Sequence, residues 1–216
     1  MIFIGSSSSG FTFVSQYSVE SRTLNPVTDA GGVANEVMVV SIMSDGALLT
    51  PAGWTQIAFV SNDGLNRGIF YKKLNGTETS SINFSAAAFY VGLHALRFTT
   101  TASSFSSGSV VSGYSSSGNP VNSSITVSSL TDPCIVLGIG MAYDDSAAFT
   151  SLTTFSLSPA ETTQYDLLVA ANFFCISAVY KIYNTAPSDT TIDIGDEAGD
   201  PNGLYNGYLG CYLKET

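Results

Sequence analysis

The chain has 216 residues and a formal net charge of −10, yet only 11% of it is Asp, Glu, Lys or Arg, against roughly 25% in an ordinary soluble domain. Hydrophobic residues make up 44%, enough for a core, which excludes disorder. Seven Lys+Arg against 17 Asp+Glu exclude nucleic-acid binding through a basic patch, and the scarcity of Glu, Lys and Arg excludes a coiled coil or long helical bundle.

Ser and Thr replace the missing charge, at about a quarter of the chain. Such a composition suits a β-protein built for packing or display. The N-terminal arm, residues 1–15, carries Ile2, Phe3, Ile4, Phe11 and Phe13 around a GSSSSG run. It has no basic n-region, and its apolar run is only about four residues, so it does not read as a signal peptide. It is too apolar to stay free in water. The expectation is an ordered strand, docked on the chain's own sheet first and on a neighbouring subunit second.

Strand signals then recur at short intervals. They are FTFVSQYSVE, EVMVVSIMS, WTQIAFVSN, RGIFYKKLN, SSINFSA, YVGLHALRF, NSSITVSS, CIVLGIGMA, TTFSLS, LLVAANFF, ISAVYKIYN, TTIDIG and NGYLGCYLK. Most are rich in β-branched or aromatic residues, and several alternate apolar with polar. Turn signals separate them: SDG at 44–46, PAG at 51–53, NDG at 62–64, NG at 75–76, SGN at 117–119 and PNG at 201–203. Ser158-Pro159-Ala160-Glu161 has the form of a capping box and predicts one short helical turn. No stretch approaches the ~18 apolar residues of a membrane span. The fold class predicted is all-β, an antiparallel β-sandwich.

The second half echoes the first. YKKLNGTETSSINFS at 71–85 matches YKIYNTAPSDTTIDIG at 180–195, EVMVVSIMSDG at 36–46 matches PCIVLGIGMAYDD at 133–145, and YVGLHALRF at 90–98 matches YNGYLGCYLK at 205–214. The expectation is one domain, 1–216, with a first half at 16–98, a Ser/Gly-rich connection at 99–120 and a second half at 121–216. That connection holds Phe105, Val110, Val111 and Tyr114, which a free linker would not need.

Few residues point to chemistry. His94 is the lone histidine and sits inside an alternating strand. A Ser/His/Asp triad would need it as base, and no GxSxG elbow presents a serine. A catalytic zinc site wants two or three histidines. The expectation is a protein that is not an enzyme. Cys134, Cys175 and Cys211 are odd in number and lie in apolar runs, so they read as buried thiols. Asp193, Asp196, Glu197 and Asp200 share a Gly-rich acidic loop where calcium could find oxygen ligands, although the spacing is not that of an EF-hand; a solvated acidic turn is the plainer reading there and at Asp144 and Asp145. Trp54 follows a Pro/Gly turn and reads as a core anchor between sheets. Tyr205 and Tyr208 read as interface candidates beside the apolar arm.

The run Gly46-ALLT-Pro51-Ala52-Gly53-Trp54-Thr55-Gln56-Ile57, followed by Arg67-Gly-Ile-Phe-Tyr-Lys-Lys73 and an alternating strand, resembles a family of β-sandwich virion proteins from tailed bacteriophages and environmental viral sequences. The resemblance covers about residues 30–214, and the chain departs from it at RFTTTAS, after the first half. It implies a jelly-roll-like structural protein: a capsid decoration (cement) protein, a head fibre or a tail component. The alternative function is a tail or head-fibre module that binds host-surface carbohydrate or receptor. It supplies no catalytic residues. The implied partners are the major capsid protein or other virion subunits and further copies of the chain, a trimer first, with neither nucleic acid nor membrane. The implied location is the virion, after synthesis in the host cytoplasm.

Overall fold

The computed structural model describes residues 10–116, 121–143, 155–158, 163–169, 174–196 and 205–216. Among them every regular element is a strand. The first half holds β1 (Thr12–Val19), β2 (Thr23–Leu24), β3 (Glu36–Ser44), β4 (Thr55–Asn62), β5 (Leu65–Lys73), β6 (Ile82–Asn83) and β7 (Val91–Thr99). The second holds β8 (Phe105–Ser115), β9 (Val121–Thr126), β10 (Cys134–Tyr143), β11 (Phe155–Ser158), β12 (Thr163–Val169), β13 (Phe174–Tyr183), β14 (Thr191–Asp196) and β15 (Tyr205–Glu215). The repeat therefore restarts at β8, inside the 99–120 segment, and the connection proper is the short stretch 100–104. Ser158 ends a strand; the rest of the expected helical turn lies outside the described residues.

Each half builds one five-stranded and one smaller antiparallel sheet. The large sheets run β1-β7-β3-β5-β4 and β8-β15-β10-β13-β12, the same order when each strand is replaced by its counterpart. The small sheets are β2-β6 and β9-β14-β11. The bridge Leu48–Ser85 holds the place in chain order that β11 holds in the second half. The repeat extends to register. Tyr71 and Leu96 both stand opposite Val39, and Tyr180 and Cys211 both stand opposite Leu137.

The two large sheets face each other. Val37, Val39, Met43, Ile69, Leu96 and Phe98 of one pack with Ile135, Leu137, Ile139, Ile176, Leu209 and Leu213 of the other in one core cluster. Their opposite faces are also covered. Met38, Val40, Ile42, Phe70 and Leu93 meet Leu24, Trp54 and Phe84. Val136, Cys175, Val179 and Tyr208 meet Ile125, Phe155, Leu157, Ile192 and Ile194. The result is four layers with three apolar seams. This explains why EVMVVSIMS and CIVLGIGMA are nearly continuous apolar runs: a strand buried on both faces has no solvent side to alternate with. All nine residues of β3 are buried. Each fully buried Leu, Ile, Val or Phe contributes about 1.5–3 kcal/mol.

Glycines let the layers close. A Cβ on Gly138 would stand 2.4 Å from Ile194 Cδ1, and one on Gly140 would stand 2.6 Å from the Phe155 ring. The small sheet thus seats its side chains in bare backbone of β10. On β15, Tyr208 and Tyr212 lie over their direct partners on edge strand β8, Gly113 and Gly108, so the aromatic rings cover what the glycines leave open.

The arm docks on its own sheet. β1 pairs along β7 from Thr12–Thr99 to Val19–Leu93. Phe11 is 1% exposed and meets Phe98 edge-on at 6.4 Å, while its N–H donates to Asn184 Oδ1 at 2.7 Å. Phe13 stacks on Tyr180 at 5.0 Å. Self-docking was the first expectation for the arm, and for Phe11 and Phe13 it holds: burial between two facing sheets satisfies their apolar rings, which removes both as candidates for an interface with another subunit. Ile2, Phe3 and Ile4 lie outside the described residues.

Candidate functional site

At one end of the seam between the two large sheets lies a cleft of about 430 Å³, lined by Asp45, Asp63, Gly64, Leu65, Tyr90, Tyr114 and Phe174. Both halves contribute. Asp45 follows β3, Asp63-Gly64 is the tip of the β4–β5 hairpin, and Tyr90 precedes β7; Tyr114 lies in β8 and Phe174 opens β13.

Local chemistry fixes each wall. Asp63 and Gly64 both have positive φ, 47° and 77°, as a two-residue type I′ hairpin requires, so the NDG signal presents the Asp63 side chain at an exposed tip. Asp45 and Tyr90 are tied together. The Asp45 N–H donates to the Tyr90 carbonyl at 3.0 Å, and the Asp45 carboxylate accepts from the N–H groups of Tyr90 at 3.1 Å and Phe89 at 3.2 Å. The Tyr90 ring stacks against Phe174 at 6.2 Å and 21°. Phe89, held at its backbone by Asp45 and next to Tyr90 in sequence, leaves its ring 92% exposed.

Arg67 lies under this site. Its side chain is fully buried and crosses from β5 to the second half. Nη2 donates to Asn62 Oδ1 at 2.5 Å and Nη1 to the Gly113 carbonyl at 3.3 Å, and the guanidinium stands 5.9 Å from the centre of the Tyr114 ring. A Cβ on Gly207 would fall 2.0 Å from Nη1, so the cation rests on bare backbone of β15. Burial pushes its pKa down to about 10; the group remains a cation at neutral pH. At the other end of the seam Lys73 Nζ donates to the carbonyls of Thr100 at 3.1 Å and Ala102 at 2.5 Å, which ties down the start of the connection.

His94 faces the central seam and is buried. Nδ1 lies 2.7 Å from Ser18 Oγ on β1, and Nε2 lies 3.2 Å from the Ile176 carbonyl of the opposite sheet. A carbonyl only accepts, so Nε2 carries the proton. His94 thus has one partner on its own sheet and a second across the sandwich. All three cysteines are buried thiols that form no disulfide. Burial pushes the thiols of Cys134 and Cys211 up to about 12, which keeps them uncharged and inert at neutral pH.

The acidic loop is not assembled as a cluster within the described residues. Asp193 is exposed on β14 and accepts from Ser124 Oγ at 2.5 Å. Asp196 pairs through its backbone with Val121 and Phe155. Glu197 and Asp200 lie outside the described residues, as do Asp144 and Asp145. No group of three potential metal ligands occurs among the described residues.

Tyr208 is corrected from interface to core. It is 1% exposed, because it points toward the small sheet and covers Gly113. Tyr205 pairs with Tyr143 through its backbone. Trp54 is buried in the outer seam of the first half, its ring meeting Phe84 edge-on at 4.9 Å, and serves as the anchor that its position after the turn suggests. Sequence reasoning treated Asp45 and Asp63 only as turn residues, and it passed over Phe89 and Tyr90. The signal was present in the two Asp-Gly turns and the AAAFY run, but only the fold brings them to one end. No family model, curated protein or solved structure matches the chain.

Proposed function

We propose that the chain is a non-enzymatic structural protein of a virus particle, a capsid decoration protein that bridges and stabilises capsid subunits. The observation that carries this reading is the four-layer stack. The central strands of both large sheets are covered on both faces, and with only 11% charged residues in the chain the outer surface carries few ions. Such a surface lies against other subunits with little cost in desolvated charge. The winding also supports it. Numbered within the second half, the sheets run 1-8-3-6-5 and 2-7-4. We read this as a jelly roll whose fifth strand has joined the larger sheet, an architecture shared by viral capsid and lectin domains. The partners are the major capsid protein and further copies of the chain, as a trimer.

The test is the copy number of the chain in purified intact particles. Copies in a fixed stoichiometric ratio to the major capsid subunit support decoration. Absence from particles overturns it. A second reading, a tail or head-fibre module that binds host-surface carbohydrate, is favoured by one observation: the aromatic and carboxylate cleft at the seam. A few copies per particle would favour this one.

A further inference from the structure

We infer that the seam cleft is a saccharide site, selective for neutral or basic pyranoses and closed to acidic ones. The inference deepens the carbohydrate-binding reading and rests on it.

The volume, about 430 Å³, lies within the roughly 300–1,000 Å³ of small-molecule sites. The walls are of two kinds. Tyr90, Tyr114, Leu65 and the floor residue Phe174 are apolar, while Asp45 and Asp63 carry carboxylates. A pyranose is amphipathic in the matching sense, with apolar C–H faces and a rim of hydroxyl donors. A purely apolar ligand would strip water from two carboxylates and give them nothing in return. A pyranose would lay its C–H face on the rings and donate hydroxyls to the carboxylates.

Both oxygens of Asp45 already accept one backbone N–H each, yet a carboxylate offers about four acceptor sites. Acceptor capacity therefore remains, on a group that the backbone holds in place. Asp63 stands on a hairpin tip whose two positive-φ residues fix its direction. Phe89, the neighbour of the lining residue Tyr90 in sequence, adds an exposed ring. A Phe that is 92% exposed contributes nothing to the core, but it could close over a bound ring.

Charge sets the selectivity. Among the described residues, the charged ones that line the cleft are both acidic. The nearby cation, Arg67, is buried beneath Tyr114 and directed at Asn62 and Gly113. A uronic or sialic acid would bring a third carboxylate against two fixed ones.

The test uses the whole chain titrated calorimetrically with trimers of N-acetylglucosamine, glucose, galactose and mannose, and with a galacturonate trimer. The expected result is millimolar or tighter binding of at least one neutral trimer. Phe89→Ala should weaken that binding about fivefold, the size of one aromatic contact. Asp63→Asn, which tolerates the same positive φ, should weaken it about tenfold, the size of a hydrogen bond to a charged group. The galacturonate trimer should bind more weakly than the neutral one. Binding of a neutral trimer that both variants leave unchanged would keep the carbohydrate reading and overturn this site. No binding of any neutral trimer would overturn both. Galacturonate binding as tight as the neutral trimer would overturn the selectivity.

Discussion

Replacing Gly138 by Ala would put a methyl carbon 2.4 Å from Ile194 Cδ1 and 2.9 Å from Val179 Cγ2. Ordinary contact begins near 3.4 Å, so the Ile194 contact is about one ångström too close. Ile194 has little room to retreat. Its Cδ1 also fills the space over Gly210, 2.6 Å from where a Cβ would stand there, and its side chain is buried in the seam between small and large sheet. Overpacking of this kind costs about 1–3 kcal/mol. In a chain of this size 2 kcal/mol lowers Tm by about 4–8 °C. Ile194→Val removes Cδ1 and leaves Cγ1, 3.4 Å from the new methyl; alone it costs about 0.5–1.5 kcal/mol. The double variant should therefore be less destabilised than the two singles added, by about 1 kcal/mol or more. Equilibrium urea unfolding of the four proteins closes the cycle. Additivity within about 0.5 kcal/mol, or a Gly138→Ala protein as stable as the parent, would refute the knob-on-glycine packing.

Three further predictions follow from the same geometry. Gly207→Ala drives a Cβ into Arg67 Nη1 and should destabilise by about 1–3 kcal/mol or more, since the displaced guanidinium loses its buried partners; a change below about 0.5 kcal/mol in chemical unfolding would contradict the buried crossing. Phe11→Ala should cost about 3–5 kcal/mol, whereas Phe89→Ala should stay within about 0.5 kcal/mol, because one ring is buried between strands and the other stands in water; equal losses of Tm would overturn this assignment. Burial, with the Tyr180 phenol second, pushes Tyr165 up to about 12, and burial together with the Asp189 carboxylate raises Tyr183 as well. An unfolded phenol ionises near 10, so the folded state holds these protons more tightly. That stabilisation is complete below about pH 10 and is lost as pH rises from there. Thermal midpoints should fall over this range, and Tyr183→Phe should flatten the fall; an unchanged slope would remove Tyr183 from the explanation.

The strands were legible because their signals are local. SINFS and TIDIG alternate, EVMVVSIMS runs apolar, and Asp-Gly and Asn-Gly mark turns, so the all-β class follows from periodicity alone. The duplication was legible through its Tyr-Lys strands, and the offset of Tyr71 from Tyr180 proves to be a shared register. Two features resisted. The segment 105–115 is so rich in Ser and Gly that it reads as connection, yet it is an eleven-residue edge strand. Its glycines are there to admit Tyr208 and Tyr212 from β15, a pairing that local sequence does not carry. The same pairing turned Tyr208 from an expected surface residue into a core one. The cleft was invisible for a related reason. Asp45, Asp63, Tyr90, Tyr114 and Phe174 are far apart in sequence, and only the stacking of two similar halves gathers the ends of their strands.

The back-to-back union of the halves, on which both the cleft and the packing arguments depend, is tested most directly by native-state hydrogen exchange. The central strands β3 and β7 of the first half share one apolar seam with β10 and β13 of the second. Their slowest amides should therefore exchange through one common opening, with the same free energy and the same denaturant dependence. Slow exchange in β10 and β13 under conditions that already expose β3 and β7, or the reverse, would contradict the account and show two halves that open independently.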